Sequence, residues 1–146
     1  MPIDDVIYDV GMNNGDDTAY YLSLGFRTVA IEANPELVKY AKARFAHEIA
    51  SGRLIILNIG IADREGELPF WICETNSRWS SFDRTYASWG NSPNHQIQVL
   101  HGSERSLPNM GCRIFARSTY RATIFSAWRA SHLTKSRNFC QSKPTI

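Results

Sequence analysis

Val6-Ile7-Tyr8-Asp9-Val10-Gly11-Met12-Asn13-Asn14-Gly15 decides the fold of this 146-residue chain. Val6 to Val10 is short, β-branched and aromatic, which reads as a buried strand, and Gly11 ends it in a tight turn. A helix is expected next. Asp16 and Asp17 suit its first turn, where the peptide dipole favours negative charge, and Gly25 followed by Phe26 suits a left-handed stop with an apolar clamp.

Working outward, Thr28 to Glu32 reads as a second buried strand. Asn34-Pro35-Glu36 reads as a helix start, with a capping side chain, a proline where no amide hydrogen is needed, and an acid near the positive end. Leu37, Ala41, Phe45 and Ile49 repeat every four residues and predict one apolar face, which Gly52 terminates. Leu54 to Ile61 is a third strand, too apolar to have a wet face. The order β-α-β-α-β predicts right-handed crossovers and a parallel sheet covered on both faces, the beginning of a doubly wound α/β domain. Asp63 to Gly66 is then a turn, Glu67 to Glu74 an added hairpin strand with its proline near an edge, and the stretch to Asn94 a surface loop.

Composition excludes several other classes. With 43% hydrophobic and 21% charged residues the chain suits one soluble domain. No apolar run reaches the roughly 20 residues of a bilayer crossing, and the N-terminal stretch lacks a basic flank and signal core, so no membrane partner and a cytoplasmic location are expected. Cys73, Cys112 and Cys140, and likewise the four histidines, show neither disulfide nor metal-ligand spacing. Charge is uneven: residues 1–100 carry 8 basic against 13 acidic groups, net −5, and residues 101–146 carry 8 against 1, net +7.

The chemistry concentrates at the first turn. Glycine at 11 and 15 lets backbone come close to a ligand, Asn13 tolerates the left-handed conformation, and the helix beyond offers free amide donors. Glu32, at the tip of the neighbouring strand, can accept hydrogen bonds from both hydroxyls of a ribose. The plain alternative is that the glycines only make a turn and Glu32 is a solvated loop acid. A pyrophosphate site wants G-x-G-x-x-G facing the helix dipole, and this loop does not match it. Asp9, Asp16 and Asp17 oppose phosphate but suit an ammonium group, so a cofactor with a ribose and a positive charge, S-adenosylmethionine, fits better. The candidate cofactor residues are Asp9, Gly11, Asn13, Gly15, Thr18, Glu32 and Asn58, the last at the third strand's carboxyl end, where it could equally cap the turn. The sequence names no general base, since neither Asp63 nor His95 carries a feature that selects it.

These residues resemble the FkbM-type methyltransferases of the class I, Rossmann-like S-adenosylmethionine-dependent fold. YDVGMNNGDDT is similar to their first-strand loop, TVAIEANPEL to their second-strand acid and helix start, and LNIGIADREGELPFWI to their third strand, turn and hairpin. SRWSSF, with Ser80 and Ser81, is similar to a serine pair that follows the hairpin. The resemblance runs from Val6 to about Val99 and implies methyl transfer to a hydroxyl oxygen on a small-molecule or glycan acceptor. It also implies a fourth strand reading approximately Tyr-Leu-Lys-Ile-Asp-Ile-Glu-Gly beside the first, and no such stretch follows.

Residues 1–99 are therefore read as the cofactor-binding part of a methyltransferase domain and 100–146 as a basic tail without sustained period. A nucleic-acid arm with interleaved Phe115, Tyr120, Phe125 and Trp128 is one account of the tail, and a disordered extension another. A third is out-of-frame translation. Displaced codons across Asn109 to Tyr120 permit a peptide close to Tyr-Gly-Val-Pro-Tyr-Phe-x-Lys-Ile-Asp-Ile, although two positions disagree: Phe115-Ala116 permits only cysteine or arginine, and Tyr120-Arg121 does not permit the expected glutamate. The frame account is preferred to the arm, and it predicts a truncated, inactive copy whose sheet stops after the third strand and hairpin, with an exposed edge on the first strand. The rival functions are an NAD-linked oxidoreductase and a non-catalytic nucleic-acid binder.

Overall fold

Alternation along the first strand sets the layers. In the computed structural model, which describes residues 6–61, 66–102 and 113–116, β1 (Val6–Val10) pairs in parallel with β2 (Arg27–Ile31), and β2 with β3 (Leu54–Leu57). Successive side chains of a strand point to opposite faces. Val6, Tyr8 and Val10 therefore share one face with Val29 and Ile31, where half-buried Ile55 and Leu57 join them. Asp9 falls on the other face, in line with Ala30 and Ile56. That face packs on the helices: Ala30 and Leu54 meet Leu22 of α1 (Asp16–Ser23), Ala41 of α2 (Pro35–Arg44) and Phe45.

The helix ends follow local chemistry. Gly25 (φ 94°) stops α1, with its N–H on Leu22 O and the Phe26 N–H on Tyr21 O, the paired bonds of a Schellman stop. Asn34 caps α2 by accepting the Glu36 N–H at 3.0 Å, and Pro35 occupies the first helical position. The expected long helix is interrupted. Phe45 leaves helical geometry (φ −108°, ψ 28°) and separates α2 from the short α3 (Ala46–Ala50). The buried stripe is Val38, Ala41 and Phe45, whereas Leu37 is half-buried and Ile49 exposed, so the four-residue repeat overstated that face.

Two expectations are corrected. The predicted third strand divides, because Gly60–Ile61 (β4) leaves the parallel sheet and joins a second one of order β4-β6-β5, with β5 (Gly66–Cys73) antiparallel to β6 (Asn94–Gly102). Pro69 lies on β5, an edge strand of that sheet, where its missing N–H breaks no central ladder. The connection expected to be plain loop carries a 3-10 turn at Ser77–Trp79, the one-turn α4 (Arg84–Ala87) and a further 3-10 turn at Trp89–Asn91. Phe70, Val99 and Ala33 form the core beneath it.

The parallel sheet does not stop at the third strand. Arg113–Ala116 (β7) pairs in parallel with Val6–Asp9, giving the order β3-β2-β1-β7. The first strand is therefore an interior strand, contrary to the exposed edge expected of an incomplete sheet. The division at residue 99 also cuts through β6, whose pairing with β5 continues to His101. The remaining tail residues, and with them the arm and frame accounts, lie outside the described residues. What stands is a mixed α/β chain whose parallel sheet carries helices, compatible with a Rossmann-like fold. Among the described residues the helices packed on that sheet lie on one face, and none is long and apolar enough to cross a membrane.

Candidate functional site at the strand carboxyl ends

All strands of the parallel sheet point their carboxyl ends to one edge, and the chain leaves β1 there. Gly11 (φ 79°) turns it, and the N–H groups of Gly11 and Met12 both donate to Ile31 O, at 2.8 and 3.0 Å, drawing the turn across the end of β2. Asn13 takes the left-handed conformation (φ 54°), as expected of asparagine in such a loop.

Glu32 lies beneath this turn and is only 3% exposed, which overturns the solvated-acid alternative. Its Oε2 accepts the Asn13 N–H at 2.8 Å and its Oε1 the Asn34 N–H at 2.9 Å. One carboxylate thus joins the β1 turn to the start of α2. From β3's end, Asn58 Nδ2 donates to Glu32 O at 2.9 Å and to Ala33 O at 3.2 Å, so Asn58 braces the β2 tip rather than capping its own turn.

The other expected residues divide differently. Gly15 (φ 86°) opens α1, but a Cβ there would come within 2.7 Å of Phe45 Cε2, so its bare backbone serves helix packing. Asp9, on the helix face of β1, is 1% exposed and accepts the Thr18 hydroxyl at 2.6 Å, so both sit between sheet and α1, behind the turn. Burial pushes the Asp9 carboxyl up to about 6. The Thr18 bond opposes this, and the charges of Asp17 and Glu32 add to it. Gly11, Asn13, Glu32 and Asn58 therefore form one connected edge, whereas Gly15, Thr18 and Asp9 support it from behind.

Three contributors escaped the sequence reading. Arg44, at the end of α2, donates to Asn14 O at 2.8 Å and pairs with Asp16 at 2.9 Å; its bond holds the Asp16 carboxyl below the ordinary range. Asn34, read only as a cap, also orients Glu32. Ser77 in the SRWSSF stretch meets Asn13 Nδ2 at 3.0 Å. The two serines singled out there serve the hairpin instead: Ser80 Oγ accepts the Cys73 N–H, and Ser81 exchanges two backbone bonds with Trp71. Arg44 sits 28 residues from Asp16 and Ser77 64 residues from Asn13, and no spacing rule reaches that far.

His95 pairs with Glu74 at 3.1 Å on the hairpin, and Asp63 lies outside the described residues. Among the described residues no group of three or more histidines, cysteines or acids could hold a metal ion. No family model matches the chain, and neither a curated protein nor a solved structure matches it.

Proposed function

We propose that this edge binds S-adenosylmethionine and that the chain belongs to the class I methyltransferases, acting on a hydroxyl oxygen of a small-molecule or glycan acceptor. One observation carries the reading: Glu32 is a buried carboxylate at the tip of β2, aimed by the amides of Asn13 and Asn34. Open α/β sheets bind ligands at the carboxyl ends where strand order reverses. Here the chain runs outward from β1 to β3 and returns to β1's other side at β7.

The donor set fits that cofactor. Asp9, Asp17 and Glu32 gather negative charge at or behind the turn, Asp16 being paired with Arg44, and these acids oppose a pyrophosphate and suit a sulfonium and an ammonium group. In this reading Glu32 accepts from the ribose hydroxyls, Gly11 and Asn13 carry the backbone beneath the amino-acid part, and Asn58 keeps the β2 tip in place. The bound cofactor supplies an electrophilic methyl carbon that an acceptor oxygen can attack. The chain's own contribution is to hold the two reactants in line, where positioning supplies much of the rate.

The test is calorimetric titration of the intact chain with S-adenosylhomocysteine and, separately, with NAD. Binding of the first that is lost in Glu32→Ala, while the variant stays folded, supports the reading. Preference for NAD, or undiminished binding by folded Glu32→Ala, sinks it.

A further inference from the structure

We propose that Ser77, in the 3-10 turn of the hairpin segment, is a positioning residue that holds the Gly11–Gly15 turn in its ligand-binding shape by fixing the side chain of Asn13. What the turn binds rests on the function proposed above, whereas the mechanical link is independent of it.

Asn13 is 7% exposed and commits its backbone N–H and both ends of its carboxamide. Its backbone N–H goes to Glu32, its Nδ2 donates to Ser77 Oγ at 3.0 Å, and its Oδ1 accepts the Asn14 N–H at 2.9 Å. A carboxamide has a donor end and an acceptor end, and rotating it by half a turn exchanges them. The Asn14 N–H can only donate, so it holds Oδ1 on its own side and turns Nδ2 toward the hairpin; the Ser77 hydroxyl accepts from Nδ2 and lies 3.3 Å from Oδ1, which anchors the carboxamide in that place. Asn14 then presents its carbonyl to Arg44. Ser77 thus anchors the Asn13 carboxamide, and the anchored carboxamide holds the next peptide of the turn.

The hairpin side of the link is itself built to stay put. Asn76 caps the 3-10 turn by accepting the Arg78 N–H at 3.1 Å, and Ser81 ties the segment to β5 through Trp71. Arg78 faces the same region, since its charge adds to the dominant Arg44 bond in lowering the Asp16 carboxyl. The link spans 64 residues and joins the parallel-sheet edge to the second sheet's connection.

Amide hydrogen exchange on the intact chain tests this. Ser77→Ala is expected to speed exchange of the Asn14 amide about fivefold, the worth of one modest hydrogen bond, with the Val29 and Ala30 amides unchanged. Ser77→Thr, which keeps the hydroxyl, restores protection. In an Asn13→Gly background, where glycine keeps the left-handed backbone but has no carboxamide, Ser77→Ala adds nothing. Affinity for S-adenosylhomocysteine falls about fivefold in Ser77→Ala and recovers in Ser77→Thr. Unchanged Asn14 exchange in Ser77→Ala, or equal acceleration in both backgrounds, overturns the role of Ser77. If the unmodified chain does not bind S-adenosylhomocysteine, the exchange result still decides on Ser77, and the cofactor reading alone fails.

Discussion

The Glu32 carboxylate accepts the backbone N–H of Asn13 at 2.8 Å across 19 residues of chain, and through its second oxygen the N–H of Asn34. A buried carboxylate with two amide donors is satisfied locally, and it ties the first turn to the second before any ligand arrives. Removing it would orphan two amides.

Glu32→Gln keeps one acceptor oxygen but turns an amide donor toward an N–H. It is expected to destabilise the chain by about 2 kcal/mol, with Glu32→Ala somewhat worse. Urea unfolding measures both, and a loss below about 0.5 kcal/mol in Glu32→Ala would show that these bonds hold little.

Gly15→Ala combines a left-handed φ of 86° with a Cβ placed 2.7 Å from Phe45 Cε2. About 3 kcal/mol of stability should disappear, roughly 1–2 of it from the backbone alone. Shortening the ring with Phe45→Leu removes the clash but not the backbone strain, so the double variant should lose less than the sum of the singles. Strict additivity in thermal unfolding would contradict the contact.

Asp9 gives a pH signature. Its carboxyl is raised by burial from 3.8 to about 6, so between roughly pH 4 and pH 6 the folded chain holds a proton that the unfolded chain has released. Stability from this group is therefore present below about pH 4 and declines as pH rises to about 6, by on the order of 2–3 kcal/mol. Asp9→Asn, which can still accept from Thr18, should be more stable than the parent at pH 7.5 and lose that advantage near pH 4. Parallel stability profiles for the two chains would refute the assignment.

Thr28 Oγ1 is buried on the helix face of β2 with no hydrogen-bond partner among the described residues. Thr28→Val keeps the volume and removes the orphaned hydroxyl, so a gain of about 1 kcal/mol is expected in chemical denaturation. A loss of similar size would mean that the hydroxyl has a partner.

A chain ending after Gly102 lacks β7 and leaves the Val6–Asp9 edge of β1 unpaired. It should melt at lower temperature and associate through that edge. An unchanged melting temperature in a monomeric truncated chain would show that Arg113–Ala116 contributes nothing to the sheet.

Local rules carried the first half of the chain far. The Asn34-Pro35-Glu36 start and the Gly25 stop depend on neighbours within a few residues, and both stand in the fold. Asp9 had a further signal that went unused: it alternates with Tyr8 and Val10, and parity alone puts it on the opposite face, under α1. The four-residue repeat of α2 overstates its apolar face because the helix breaks at Phe45 and Ile49 lies beyond the break, and periodicity does not register such an interruption.

What the sequence by itself determined is the β-α-β-α-β order, the Gly25 stop, the Asn34-Pro35 start and the acid at the tip of β2, because backbone preference, capping and burial pattern act over a few residues. Only the tertiary structure decided that Gly60–Ile61 changes sheets, that a stretch of basic tail pairs with β1, that Gly15 makes room for Phe45, and that Ser77 fastens Asn13. Each of these is a meeting of groups far apart in the chain. Strand pairing places no demand on side-chain identity that a reader of Arg113–Ala116 could recognise, and a serine hydroxyl 64 residues from its asparagine leaves no periodic trace. Contact there follows from packing, which the whole chain settles together.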